Sequence, residues 1–532
     1  MKFSHYLNDC NANSFFWLPI TKYEILDLIL SLSKNKASGY DEVPVKLLQE
    51  AAEYVCEPLS YIFNISLSAG IFPDDLKIAK VIPLFKKGDK DKPSNYRPIS
   101  VLPIVSKIFE KLVNARLITF LENNNVLFEH QYGFRRGYST KHSLVNLMDQ
   151  ISKCVDNKQV TLGVFLDFAK AFDTIDHDIL LQKLQHYGIR GLPLKWFSNY
   201  LVNRKQYVFL DGSKSEKEDI LCGVPQGSVL GPTLFVIYIN DLPKSSSYFH
   251  FRLFADDSNL FHTFESGLHN INLTESNDNL FDVVQWCDAN KLTINHNKTK
   301  YVLFKNRRYC INVQGVLDIK GNILQKVNCA NFIGINIDEH LTWKHHIDEI
   351  CKKIRKDVGI IYKLRHFVTR QVLMMIYNAF ILPHITYGIE VWGGTYTTYL
   401  NQIFVIQKRA VRAVTFKNHM DHSMPLFYEC KILDLYKLYH LMICTYMYDL
   451  IHGTTPDDIS LYCSYIGHCY ETKQKINKNL VIWLAKTNIG KQCISHSGPL
   501  NWNLLENDIR NSLSRSTFRR KLKLKLLEEY KS

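Results

Sequence analysis

An apolar run that stops on a carboxylate sets the tightest limit on how this chain can fold, and the pattern occurs twice. Val160-Thr161-Leu162-Gly163-Val164-Phe165-Leu166 has the length and apolar continuity of a buried strand, and Asp167 ends it. Phe251-Arg252-Leu253-Phe254-Ala255 ends on Asp256-Asp257, and Ser258-Asn259-Leu260-Phe261 follows as another strand-like run. A carboxylate at the end of an apolar strand is costly to desolvate unless it meets a cation. Two such strand ends side by side make a hard oxygen cage suited to Mg²⁺, as two-metal phosphoryl transfer requires.

Asp-Asp pairs are also ordinary turn residues, and the chain has three: Asp74-Asp75, Asp256-Asp257 and Asp457-Asp458. The outer two follow Pro73 and Pro456 and read as turns or helix starts. Only the middle pair tightly connects two apolar runs; taken alone, a plain hairpin turn explains it equally well. Between the carboxylates lies Gly223-Val224-Pro225-Gln226-Gly227-Ser228, ahead of a mostly apolar run from Val229 to Ile239. The glycines let the backbone approach a substrate closely, and Ser228 can cap the helix that follows. The bland alternative is a Gly/Pro loop before a core helix.

Taken in order, Phe165-Leu166-Asp167-Phe168-Ala169-Lys170-Ala171-Phe172-Asp173, the Gly223–Ser228 segment and Phe254-Ala255-Asp256-Asp257 resemble motifs A, B and C of reverse transcriptases. Lys80 to Asp89, Asn95-Tyr96-Arg97-Pro98-Ile99-Ser100 and Gln131-Tyr132-Gly133-Phe134-Arg135 resemble the fingers of non-LTR retrotransposon enzymes. Lys291-Leu292-Thr293-Ile294-Asn295 with Lys298-Thr299-Lys300 resembles motif D, and Asn331-Phe332-Ile333-Gly334 resembles the motif E hairpin. The group most similar is the jockey-like LINE-type elements, strongly so from Ser33 to Leu341.

The resemblance implies an α+β right-hand polymerase: fingers, a palm with an antiparallel sheet and helices, a helical thumb, and a helical C-terminal region. Residues 1–75 are expected as an N-terminal helical extension, 76–160 as fingers, 161–340 as palm, 341–420 as thumb and 421–532 as the C-terminal region. Ile347, Ile350, Ile354, Val358, Ile361 and Leu364 recur at helical spacing in the thumb segment. The expected chemistry is RNA-directed DNA synthesis with two Mg²⁺ ions, Mn²⁺ being able to substitute, on an RNA template, a DNA primer and dNTPs. Asp167 and Asp256 are expected as the main metal ligands and Asp257 as a weaker one, because neighbouring strand residues alternate faces.

Phe172 is expected beneath the incoming sugar, where it would block a 2′-hydroxyl; a core aromatic is the alternative. Gln226 is expected at the nucleotide, Lys86 and Arg97 at its triphosphate, with Lys80 and Lys87 competing for the lysine role. Lys298 is expected to protonate the leaving pyrophosphate, with Lys300 as competitor. Gln131, Gly133, Arg135, Gly227, Lys352 and Lys353 are expected along template and primer. Asp173 and Asp176 read as capping or orienting residues. A viral-type RNA polymerase is disfavoured by Phe172 and by Phe-Ala-Asp-Asp. A catalytically inactive or co-opted RNA-binding protein is the remaining alternative.

Composition sets outer bounds. The 532 residues, 46% hydrophobic, are ample for several packed subdomains, and no long linker divides them. Lys and Arg exceed Asp and Glu, 65 against 51, which fits a polyanion partner and also fits plain solubility. The 13 cysteines show no Cys-x-x-Cys pair, and Cys463 and Cys469 with His468 and His496 lack zinc-knuckle spacing. Reduced thiols and an intracellular setting, nucleus and cytoplasm, are expected. No membrane span is expected: the longest candidate, Ile376 to Trp392, is broken by Asn378, Pro383, His384 and Glu390. Residues 1–75 are too short for an apurinic-type endonuclease, so extension of a supplied 3′-hydroxyl without plasmid nicking is expected.

Overall fold

The structure, a computed structural model, describes residues 2–7, 10–265, 270–456 and 479–531. Asp457-Asp458, Cys463, His468 and Cys469 lie outside the described residues. The chain opens with α1 (Lys22–Ser31), α2 (Val45–Glu50) and α3 (Ala52–Ala69). Thr21 and Glu24 form a reciprocal capping box that fixes the start of α1. Ile25, Ile29, Phe63 and Leu67 bury in one core with Phe109, Val113 and Leu117 of α4 (Ile104–Asn123). Phe63 and Phe109 stack with ring centroids 4.2 Å apart. The N-terminal segment therefore shares a core with the fingers and palm.

The strands that position the site are β1 (Ile78–Phe85), β2 (Tyr96–Val101), β3 (Val160–Leu166), β4 (Arg204–Leu210), β5 (Ser213–Lys214), β6 (Glu218–Ile220), β7 (His250–Phe254) and β8 (Asp257–Phe264). β1 and β2 pair antiparallel, with Lys80 opposite Val101 and Phe85 opposite Tyr96. β1 also pairs in parallel with β4, and β4 in turn carries β5 and β6. The fingers sheet thus draws residues 204–220 from the far side of the boundary expected at 160. That pairing joins residues more than 120 positions apart, such as Ile78 and Lys205, so no local pattern could announce it.

The palm sheet runs Gln325–Lys326, Lys300–Phe304, β3, β8, β7. β3 is buried along its whole length. Its alternation is real but hidden, because each face meets a separate apolar core. Leu162, Val164, Leu166, Leu260, Tyr301 and Leu303 enter the first core; Phe165, Phe261, Val302 and Phe304 enter a second. Gly163 makes room on the second face, since a Cβ there would sit 2.9 Å from the rings of both Phe261 and Phe304. The first face is covered by residues of α6 (His177–His186), α7 (Leu192–Leu201), α8 (Leu230–Ile239) and α9 (Thr274–Ala289). A buried ion pair ties that layer together: Lys183 Nζ lies 2.5 Å from Asp241, whose other oxygen accepts from Trp286 Nε1 at 3.1 Å.

The second core is formed by α5 (Thr140–Asp156), the hairpin Cys329–Phe332 with Ile335–Asp338, the thumb and the C-terminal region. The hairpin turns on Ile333-Gly334, φ +46° and +77°, the left-handed pair that two-residue hairpin turns require. Asp338 at its end accepts from the backbone N–H of Thr342 and Trp343, at 3.0 and 2.7 Å. This launches the thumb helix α10 (Lys344–Leu364), which buries Ile347, Ile350, Ile354, Val358 and Ile361 and exposes Lys352, Lys353, Arg355 and Lys356. The C-terminal helices Leu435–Ile451, Ile494–Asn503 and Arg515–Glu528 complete this layer. α5 holds them by its carboxylates: Asp149 accepts from Ser495, and Asp156 from Lys486 and Thr487. Among the described residues no helix is long and apolar enough to cross a membrane.

Candidate active site

Strand register delivers the carboxylates to one end of the palm sheet. β3 and β8 pair up to Leu166 opposite Ser258, so one step further sets Asp167 beside Asp257. β7 and β8 pair up to Phe254 opposite Asp257, leaving Ala255-Asp256 as a two-residue turn. On the other flank of β3, Lys300 pairs with Phe165, which brings Lys298 level with Asp167. Lys298 Nζ lies 3.3 Å from Asp167 Oδ2, and the Asp167 backbone carbonyl accepts from Asn295 N–H at 2.8 Å. Lys298, rather than Lys300 within its strand, is therefore the lysine at the carboxylate.

The electrostatics agree with a cation site. Asp257 is pushed up to about 6, first by lost solvation and then by the like charges of Asp256 and Asp167. Asp256 is also raised by lost solvation and by Asp167, while Arg97 and Lys86 pull it back. Both side chains are open to water, so the lost solvation reflects protein surrounding them on several sides rather than deep burial. Asp167 Oδ2 is shielded from water and receives no hydrogen bond, Lys298 contacting it only as an ion pair. Three close carboxylates with one orphaned oxygen fit a divalent ion in charge and donor type. Among the described residues no three such side chains are already gathered in ligating geometry, so an ion would have to draw them together. Mg²⁺ ordinarily takes only one or two carboxylates and completes its shell with water and substrate phosphate, so a preformed cage is not needed.

Lys86 and Arg97 sit on the exposed β1–β2 hairpin, and both charges reach Asp256. Lys80 instead lies over the Phe209 ring at 4.0 Å, which ties it to the fingers sheet. Motifs A and B are stitched together by backbone. Gly223 N–H donates to Ile175 O at 2.7 Å and Val224 N–H to Phe172 O at 2.9 Å. Gly223 has φ +80°, and a Cβ on it would lie 2.7 Å from Asp173 O, so only glycine fits this crossing. Phe172 is half-buried and stacks on Phe235 of α8 with centroids 4.6 Å apart. Gln226 Nε2 donates to Asp173 Oδ1 at 2.9 Å, and its backbone carbonyl accepts from Ser100 N–H at 2.8 Å. Gly227 packs on β2, where a Cβ would meet Ser100 O at 2.3 Å. Pro98, Ser100, Asp173, Gln206 and Gln226 line a cavity of about 460 Å³ between the fingers sheet and this loop. Asp176 caps α6 through Ile179 N–H and pairs with Lys291.

The Gln131–Arg135 segment has a different setting from the one expected. Gln131 is buried, and its Oε1 accepts from Gly133 N–H at 2.9 Å and from Ala255 N–H at 3.2 Å. Two backbone donors fix the oxygen's position and hence the amide's orientation. Tyr132 N–H donates to Leu253 O at 2.8 Å, and a Cβ on Gly133 would lie 2.3 Å from Ala255 N. These residues clamp the Asp256-Asp257 turn. Arg135 is committed to Glu122 through two hydrogen bonds, at 2.9 and 2.6 Å, and lies over Tyr138 at 4.0 Å. Lys352 and Lys353 remain exposed on α10.

One residue with a part in the site escaped the sequence reading. Glu110 is fully buried in α4, and its Oε2 accepts from Val229 and Leu230 N–H at 2.6 and 3.3 Å, capping α8 directly after motif B. The available signal was an acid among Ile108, Phe109, Leu112 and Val113, on the face of α4 that should be apolar.

Carboxylates at the edge of a palm sheet, a basic fingers hairpin facing them and a helical thumb make up the right-hand architecture shared by template-directed polymerases. Comparison with known proteins agrees: residues 85–337 match the family of reverse transcriptases (RNA-dependent DNA polymerases). The chain is 29% identical over 412 residues to a protein named probable RNA-directed DNA polymerase from transposon X-element of Drosophila melanogaster, covering 75% of this chain and 44% of that one. It is 30% identical over 414 residues to the corresponding protein of transposon BS, covering 75% and 45%. To the RNA-directed DNA polymerase from mobile element jockey of the same fly it is 29% identical over 408 residues, covering 74% and 44%. Residues 85–337 are thus a reverse transcriptase domain, and the chain is similar to polymerases of non-LTR, jockey-like retrotransposons. The matched segments amount to less than half the length of these curated relatives.

Proposed function

We propose that the chain is an RNA-directed DNA polymerase that extends a DNA 3′-hydroxyl on an RNA template, using Mg²⁺. The observation that carries this reading is the register that sets Asp167 beside Asp257 while Lys86 and Arg97 reach Asp256 from the fingers. Asp167 and Asp256, with Asp257 beside them, would hold the ions, whose Lewis acidity would activate the attacking hydroxyl and neutralise the reacting phosphate. Lys86 and Arg97 hold the triphosphate against the palm, the guanidinium as a planar fork and the ammonium as a point charge. Lys298 leaves Asp167 and protonates the departing pyrophosphate. Phe172, braced on Phe235, closes the floor beneath the sugar and excludes a 2′-hydroxyl. Gln226, oriented by Asp173, sets the nucleotide against the motif B loop. The exposed cations of α10 follow the phosphates of the primer–template duplex.

The test is primer extension by purified protein on poly(rA)/oligo(dT) with dTTP and Mg²⁺. Extension abolished by chelation supports the reading. RNA binding without any extension would replace it with a co-opted RNA-binding role.

A further inference from the structure

The basic C-terminal helix that the polymerase reading leaves without a role borders a cavity of about 640 Å³ on the thumb side of the molecule. Met374, Leu441 and Met442 contribute to its apolar floor, and Lys431, Arg519, Arg520 and Lys523 stand around it. No carboxylate lines it. The four cations are exposed and so reachable, and among the described residues none forms an ion pair.

Neighbouring cations of the same helix behave differently. Lys521 pairs with Asp508 at 2.8 Å, Lys525 with Glu506 at 2.7 Å and Arg515 with Asp449 at 2.6 Å. Neutralisation is selective: the cations of this helix that do not line the cavity are ion-paired, and those that line it are not. Burial together with the charges of Arg519 and Lys431 holds Lys523 below the usual lysine range, so these groups share one field. Converging unpaired cations over an apolar floor favour an anion that also carries flat apolar groups.

We infer that this cavity binds single-stranded RNA, phosphates on Lys431, Arg519, Arg520 and Lys523 and a base on the apolar floor. Arg519 and Lys523 are one helical turn apart, about 6 Å along the axis, so the cations form a row rather than a point. Lys431, just beyond the helix Met424–Glu429, lines the same cavity from a separate segment. A concave site suits a strand; a bilayer presents its headgroups to a flat or convex surface. The choice of RNA rests on the polymerase reading, which makes RNA the polyanion at hand, but the binding itself requires no catalysis. A strand held here would give the protein a second grip on its template, separate from the palm.

The test is fluorescence anisotropy of labelled oligo(U) with the full chain across a salt series. Lys431→Gln/Arg519→Gln/Arg520→Gln/Lys523→Gln is compared with Lys521→Gln/Lys525→Gln, which alters paired cations of the same helix. The fourfold variant should bind at least about tenfold more weakly, and its log–log salt slope should be shallower by up to about 3, at about 0.7 per phosphate lost. The double variant should match the parent. Should the fourfold variant fail to fold by circular dichroism, Arg520→Glu alone replaces it, with the same direction expected. Unchanged affinity and slope would overturn the inference. So would loss of binding to phosphatidylserine vesicles with RNA binding intact, which would assign the cavity to lipid headgroups. If the parent protein never extends a primer, the polymerase reading fails while the anisotropy comparison still decides this site.

Discussion

Ala255 holds φ +55° in the turn that joins β7 to β8 and carries Asp256, a conformation that costs an alanine about 1 kcal/mol or more. The clamp from Gln131 and Gly133 is what keeps it there. Removing the acceptor should therefore disturb the carboxylates before it disturbs nucleic-acid binding. Gln131→Ala is expected to lower kcat at least about tenfold and raise the Mg²⁺ concentration needed for half-maximal rate, with RNA affinity unchanged. A normal Mg²⁺ titration with weakened RNA binding would make Gln131 a template contact instead. Phe172 makes a second prediction at this scale. Phe172→Ala should raise ribonucleotide use relative to deoxyribonucleotide by at least about tenfold and cost about 1–3 kcal/mol of stability, given the stacking and burial lost. A drop in Tm with sugar discrimination intact would leave the ring as packing alone.

Among the elements, the thumb helix offers a pH test. His346 is buried at the start of α10, its Nδ1 accepting from Asn336 N–H at 3.5 Å and its ring edge-on to Trp392. Burial first, then the charge of Lys353, depresses it from 6.5 to about 4. Between those values the unfolded chain binds a proton that the folded chain refuses, so stability must fall as pH drops from 6.5 toward 4. The loss is at most about 3 kcal/mol, at about 1.4 kcal/mol per pKa unit. Denaturant unfolding of the parent and of His346→Leu across this range should show a smaller fall in the variant; parallel curves would mean that His346 titrates normally. α10 was legible in the sequence because its apolar spacing is local and strong, and β3, β7 and β8 because each run is short, apolar and bounded by a carboxylate at the site end. The fingers sheet was not, because β4 meets β1 only through a distant pairing. Nor was the role of α5, whose period reveals an apolar face but not which of two cores receives it.

For the molecule as a whole, the palm sheet is a partition with a hydrophobic core on each side, and its edge residues are held from both. The candidate carboxylates, Lys298, Lys86 and Arg97 were readable because strand ends and motif order carry them. The roles of Gln131 and Glu110 were not, because each acts through a hydrogen bond between segments distant in sequence; Asp173 was readable as an orienting residue, but its partner Gln226 was not. The proposed metal site rests on Asp167, set beside Asp257 by strand register, and on Asp256 in the adjoining turn. Primer extension by Asp167→Asn and Asp256→Asn on poly(rA)/oligo(dT) tests it most directly, since each change removes one charge and keeps the shape. Both variants should lose at least about a thousandfold in rate, a transition-state cost of about 4 kcal/mol, while binding RNA as the parent does. Near-parental extension by either one would contradict the assignment.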